Sequence, residues 1–221
     1  MPIDPKRVLF EDEYLLAVMK LGGELVVAGR GKMEKLPLLD FLRKQYPTLA
    51  PIHRLDFETS GVVVFAKTKR VLQAILESKS KGWSKRYLAI VLGHPKRAQG
   101  DITFKLIARS GDGKVDASTK YKVLEQLGDC SLVECVIERG QKHQIRRHMN
   151  MIGHPLILDD IYGIDKANKA FSRYLKMRRF LLHAESIDFP HPMTGAPVHI
   201  SCEPPASFTT AVKKLRAAKR Q

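Results

Sequence analysis

The sequence predicts an α+β fold built on a largely antiparallel, mixed sheet with helices flanking it. Two observations lead there. Strand-like apolar runs follow one another through most of the chain, and helical periodicity interrupts them in only a few places. Strands in series with few helices give a mainly antiparallel sheet, whereas strict strand–helix alternation would give a parallel one. An apolar fraction of 44% over 221 residues is enough to bury one core, either as a single domain or as two small lobes sharing a sheet.

Taken in order, VLF (8–10) and YLLAVMK (14–20) read as strands around the acidic turn EDE, and LVV (25–27) continues that pattern. AGRGK is a basic, glycine-rich loop. It is not a phosphate-binding Walker loop, because Val26 stands where the spacing needs glycine. LPLLDFLRKQY (36–46) places Leu38, Leu39, Leu42 and Tyr46 at helical spacing, with Pro37 suited to a first turn. GVVVFA (61–66) is a buried strand and RVLQAILESK (70–79) an amphipathic helix. SKRYLAIVLG (84–93) is apolar on both faces, hence a central strand. Further strands fall around 101–107, 118–125 and 131–138.

QKHQIRRHMNMIG (141–153) changes to helical period. Ile145, His148, Met149 and Ile152 form one stripe, and Gly153 then Pro155 end it. His143, Arg146, Arg147 and Asn150 fall on the opposite or flanking faces. A basic helix near 165–179, two strands (RFLLHAESIDF and APVHISC) and a last basic helix (ASFTTAVKKLRAAKR) complete the chain.

Charge narrows the class of partner. Lys and Arg number 38 against 23 Asp and Glu, a net +15. Such an excess favours a polyanion, because each neutralised phosphate releases condensed counterions. No apolar run reaches membrane-spanning length, and charges occupy the stretch where a signal peptide needs its apolar segment, so a soluble cytoplasmic protein is expected. The three cysteines, odd in number and without CxxC, read as reduced thiols.

Three stretches could carry chemistry. In HRLDFETSG (53–61), Asp56 precedes a buried strand, where a turn residue is held rigidly and can still face a cleft. By itself it is either a catalytic carboxylate or an Asx-type turn bonding to the Glu58 or Thr59 backbone. In ERGQKHQIRRHMNMIGHP, histidines 143, 148 and 154 suggest zinc. However, His143 and His148 are five apart rather than four, no cysteine completes a set, and His148 lies on the apolar stripe as a core histidine would. The arginines are better placed: Arg146 near a carboxylate could pair with it and keep it ionised, or could face solvent or phosphate. In KRYLAIVLG, Tyr87 in a buried strand is a core residue unless the sheet brings it beside Asp56.

HRLDFETSG with VVVFAKT, KRYLAIVLG, GQKHQIRRHMNMIGHPLILDDIYG and LLHAESIDFPHPMTG, in that order, resemble the RluA-type family of RNA pseudouridine synthases. The resemblance runs from Val8 to Phe208. It implies the pseudouridine-synthase catalytic fold with a central basic cleft, and a single catalytic domain over 1–221 without the S4-type RNA-binding domain of many relatives. Asp56 would be the essential aspartate, and Arg54 the residue that pushes into the stack where the uridine leaves. Tyr87 would pack on the uracil and handle its C5 proton, Arg146 would pair with Asp56, and Leu182 would line the base pocket. His53 and Glu58 are left as hydrogen-bonding supports of the loop. The implied partner is a stem-loop of tRNA or rRNA, met by a monomer with no membrane, metal or cofactor. Three departures stand out: Gln141 for the usual Arg, Leu21 for the proline after Lys20, and Asp159 for a glycine before Asp160. The rival readings are a non-catalytic RNA-binding module with the same cleft and an inert Asp56, and an RNA hydrolase using His53 or His143. For the hydrolase no paired acid–base set is evident.

Overall fold

The computed structural model describes residues 3–29, 36–78, 81–108 and 111–218. In chain order its elements begin with β1 (Val8–Glu11), β2 (Leu15–Lys20), α1 (Leu38–Leu42), β3 (Ala50–Pro51), β4 (Ser60–Ala66) and α2 (Lys69–Glu77). They continue with β5 (Ser84–Leu92), β6 (Gln99–Ile102), β7 (Leu106–Ile107), β8 (Lys114–Val115), β9 (Thr119–Leu127), β10 (Cys130–Ile137) and α3 (Gln144–Met151). The last are α4 (Asp165–Leu175), β11 (Leu182–Pro190), β12 (Pro197–Ser201) and α5 (Ala206–Ala218). The expected α+β class with a large, mostly antiparallel sheet is what is found. The chain divides into two compact units, one of Met1–Ser84 with Ala184–Glu203, the other of Lys85–His183 with Pro204–Gln221.

In the first unit the strand order is β1-β2-β4-β11, with β12 on β11 and β3 on β4. β4 is buried along its whole length, as its apolar run requires. Leu15, Ala17, Val62 and Val64 pack with Val71 and Ile75 of α2, and Trp83 stacks on Phe189 with ring centroids 4.6 Å apart. Thr68 caps α2 by accepting from Val71 N–H. Two expectations need correction here. LVV is not a strand: the Leu25 and Val26 carbonyls instead accept the Leu38 and Leu39 N–H groups at 2.8 and 3.0 Å, supplying acceptors that a helix start lacks. The helix predicted over 36–46 is only Leu38–Leu42, and Tyr46 turns outward so that its hydroxyl donates to Glu11. Arg30, Gly31 and Lys32 of the AGRGK loop lie outside the described residues, as do Lys79 of the helix predicted over 70–79 and the last residues of the tail helix.

In the second unit β5, β10, β9 and β6 pair in that order, each antiparallel to the next. Leu88, Ile90, Leu127 and Cys130 meet Phe208, Ala211 and Leu215 of α5 and Leu175 of α4, which forms the core on one side of the sheet. On the other side α3 rests on β9, where Gln144 and His148 both hydrogen-bond the Thr119 hydroxyl. His148 is fully buried and also bonds the Phe104 carbonyl, so it is the satisfied core histidine its position in the stripe predicts.

Candidate active site

The 53–59 loop and its support belong to the first unit. β2 ends in Lys20, which is completely buried, an unusual place for an ammonium group. Its Nζ donates to three carbonyls, those of Leu21 (2.9 Å), Phe57 (3.0 Å) and Thr59 (2.6 Å). Two of the three lie in HRLDFETSG, so the amine fixes the backbone that follows Asp56. Burial pushes Lys20 down to about 8, although Glu24, Glu58 and Asp56 oppose that shift. Three further bonds complete the mount. Gly23 N–H donates to the Phe57 carbonyl at 2.7 Å, Thr59 N–H donates to the Asp56 carbonyl at 3.2 Å, and His53 Nε2 accepts from Val64 N–H on β4. His53 is thus a support of the loop. Asp56 emerges half-buried, and Arg54 is exposed. Leu21, where a proline was expected, donates its N–H to Glu24, a bond that proline could not make.

Tyr87, Arg146 and Leu182 belong to the second unit. Tyr87 is 7% exposed and faces Cys135 across the β5–β10 pair. Cys135 in turn faces Tyr121, two residues from Thr119. Strand alternation therefore puts Tyr87 on the sheet face on which α3 packs, the α3 that carries Arg146. Leu182 opens β11 and is buried.

Of the two alternatives open to Arg146, a carboxylate pair and a solvated face, the first is found: it is 2% exposed. Its Nε and Nη2 donate side-on to Asp159 at 2.6 and 2.8 Å, and its guanidinium lies 4.3 Å from the Phe180 ring centroid and 5.2 Å from that of Tyr162. Asp159 also accepts from Ile161 and Tyr162 N–H at 3.0 and 2.9 Å. Burial alone would raise the Asp159 carboxyl, but the bonds from Arg146 and from the Tyr162 and Ile161 backbone outweigh it and hold the group below its usual range. The sequence pattern gives Asp159 no role, because it stands there as a replacement for a common glycine. The residue in the left-handed conformation that suits glycine is Leu158, at φ 63°. The departure from the motif therefore falls one position earlier, and Asp159 itself is the partner of the arginine.

The three histidines of this stretch have separate partners. His143 bonds the Tyr162 hydroxyl, His148 bonds Thr119 and Phe104, and His154 bonds the Leu92 carbonyl. Among the described residues no group of three or more His, Cys, Asp or Glu side chains is arranged to hold a metal, and no helix is long and apolar enough to cross a membrane.

A family model described as RNA pseudouridylate synthase matches residues 14–151. The chain belongs to that family. It is an enzyme of the isomerase class, converting uridine in RNA to pseudouridine, and its partner is RNA. Among curated relatives, ribosomal large subunit pseudouridine synthase C of Escherichia coli K12 is 34% identical over 96% of this chain and 70% of its own length. Ribosomal large subunit pseudouridine synthase D of Zymomonas mobilis is 34% identical over 98% and 74%. Among solved structures, human RNA pseudouridylate synthase domain containing 4 has a TM-score of 0.79 at 23% identity, covering 96% of this chain and 93% of that one. At that identity the likeness concerns the fold.

Proposed function

We propose that this pseudouridine synthase acts on structured tRNA or rRNA, that Asp56 is its essential carboxylate, and that Arg54, Tyr87, Arg146 and Leu182 complete the site. The names of the curated relatives make large-subunit rRNA the first substrate to test. With such a substrate the enzyme works in the cytoplasm, as a monomer and as one catalytic domain.

The reaction breaks the C1′–N1 bond, turns the uracil over and joins C1′ to C5. C5 then gives up a proton and N1 ends with one. No electrons are gained or lost, so the chemistry calls for no redox cofactor. It does call for an ionised carboxylate at an electron-poor sugar carbon, as in glycoside chemistry. Asp56 takes that part, either by attack on C1′ or by removal of the C2′ proton, with Arg146 keeping it ionised. Tyr87 packs on the detached base and receives the C5 proton, and Leu182 lines the pocket. Extruding the uridine costs a few kcal/mol, offset by Arg54 entering the vacated stack and by phosphate contacts. The observation that carries this reading is the fixed loop: a half-buried acid whose following backbone is bonded to a buried amine at Phe57 and Thr59. A catalytic carboxylate has to be held in that way.

The test uses total RNA from a strain lacking the protein, with pseudouridine mapped by carbodiimide-dependent primer extension. Wild type is expected to add a stop at defined uridines. Asp56→Ala should lower the single-turnover rate by about 10³-fold or more while RNA affinity stays within about threefold. An Asp56→Ala protein that still isomerises uridine would remove Asp56 from its role, and strand scission by wild type would favour the hydrolase. The exposed cations of α4 and α5, among them Lys166, Lys169, Arg173, Lys213 and Lys214, should give RNA affinity a steep salt dependence. Arg216 contributes less to that slope, because Glu125 already holds it through two bonds at 2.7 and 2.6 Å.

A further inference from the structure

We propose that the β7–β8 hairpin, with the Phe104–Lys105 step leading into it, is an RNA-contacting arm. An unpaired base of the substrate stacks on Phe104, and Lys105 and Lys114 meet its phosphates. The inference rests on the chain's membership of the RNA pseudouridylate synthase family and not on the role given to Asp56.

The arm and its mount lie wholly in the second unit. Three residues of α3 hold it through its backbone. His148 Nε2 bonds the Phe104 carbonyl at 2.9 Å, Arg147 Nη1 donates to the Ile107 carbonyl at 3.2 Å, and Gln144 Nε2 donates to the Ser118 carbonyl at 2.8 Å. The entry, first strand and exit of the hairpin are thus fixed to one helix. The hairpin also has two faces. Leu106 is fully buried and faces the half-buried Val115 across the pair, so strand alternation turns Ile107 and its partner Lys114 the other way.

The outward side carries large apolar groups beside cations. Phe104 is 53% exposed and Ile107 56%, and Lys105 and Lys114 are exposed as well. Lys105 meets Asp116 at 3.2 Å, but both side chains are in solvent, and such a pair exchanges easily for a phosphate. From 96 to 120 six Lys and Arg stand against three Asp, so the local charge is positive. Apolar faces scattered singly on a surface need no explanation. An aromatic ring on a backbone bolted to a helix, with amines next to it, matches a nucleotide: the base takes the ring and the phosphates take the amines. A rigid mount suits stacking, because little freedom is left to lose when the base arrives.

The test uses the full chain and an RNA that wild type modifies, in single-turnover assays over a range of enzyme concentrations. These separate RNA affinity from the rate constant at saturation. Phe104→Ala should weaken RNA binding by about 10-fold, the usual worth of one stacked base, with the saturated rate constant within about twofold of wild type. Phe104→Tyr keeps the ring face and should bind within about twofold of wild type, whereas Phe104→Leu keeps only apolar area and should bind like Phe104→Ala. Lys114→Ala should lower the slope of log affinity against log salt by about one. An abasic substitution walked through the nucleotides flanking the modified uridine should weaken wild type at one position and leave Phe104→Ala unaffected there. A Phe104→Ala affinity within about twofold of wild type would overturn the proposal. So would a Phe104→Leu protein that binds like wild type, since the contact would then be apolar without stacking. Self-association that Phe104→Ala abolishes while RNA affinity is unchanged would assign the arm to a second copy of the chain, and overturn it too. A failure of Asp56 shows in the rate constant and a failure of the arm in the affinity, so the two are distinguishable.

Discussion

The loop carrying Asp56 is fixed through its backbone, whereas Arg146 is fixed through its side chain. In the first unit Lys20, His53 and the Gly23 amide bond to main-chain groups at Phe57, Thr59 and Val64. In the second unit a carboxylate and two rings grip the guanidinium directly. The lengths of the two side chains explain the difference. A short carboxylate inherits its position from its backbone, because it has only two side-chain torsions. A long arginine has more freedom to lose, so its head is held directly.

The first way to break the backbone mount is at Gly61, directly after the loop. It has φ 124°, and a Cβ there would lie 2.2 Å from the Ala184 carbonyl oxygen. Alanine at this position should therefore cost about 2–5 kcal/mol, strain and clash together, and take the 53–59 loop with it. Urea unfolding measures the loss. A variant within about 0.5 kcal/mol of wild type would mean that β4 and β11 can separate at little cost and are not part of the mount.

A smaller effect is expected from Lys20→Met, which keeps the length of the side chain and removes the amine. The Leu21, Phe57 and Thr59 carbonyls each lose the ammonium donor, Phe57 keeping the Gly23 N–H, for a destabilisation of about 2–4 kcal/mol. The single-turnover rate constant should also drop, by about 10-fold to 10²-fold, as the backbone after Asp56 loosens. Loss of stability with an unchanged rate constant would reduce Lys20 to an ordinary structural group and remove one side of the comparison.

Lys20 and Arg146 also mark how far the sequence could be read. Period-two and helical patterns located most elements, because burial on one face is written into neighbouring positions. The buried His148, on the apolar stripe of its helix, is an example. LVV failed because its carbonyls serve a helix start more than ten residues later, and local pattern has no access to that. For Arg146 the sequence leaves a carboxylate pair and a solvated face both open, because its partners, Asp159 and Phe180, are 13 and 34 residues away. A buried ion pair looks, in sequence, like two surface charges. One signal for Lys20 was available: a lysine closing an otherwise apolar strand just before two glycines.

The smallest effect separates the two mounts by pH. Lys20 holds its proton up to 10.5 when unfolded, but burial brings it to about 8 in the fold. Between those values the unfolded chain binds more protons than the folded one, so this group makes stability rise with pH across that window. Asp159 behaves in the opposite sense. Although burial opposes it, the bonds from Arg146 and the backbone hold its carboxyl below 3.8 in the fold. The stability it contributes is therefore full above the unfolded value and is lost as pH falls through the folded one. Urea midpoints for wild type, Lys20→Met and Asp159→Asn from about pH 3 to about pH 10.5 test both signs. The wild-type advantage over Lys20→Met should grow between about pH 8 and 10.5. Its advantage over Asp159→Asn should shrink below about pH 4. Each change should be on the order of 1 kcal/mol. Lys85, which burial also brings to about 8, is present in all three proteins and cancels in the differences. If the Lys20→Met difference instead shrank on the alkaline side, the amine would be held as an ammonium by its three carbonyls more strongly than burial penalises it. The backbone mount would then be an ionic one, like the grip on Arg146.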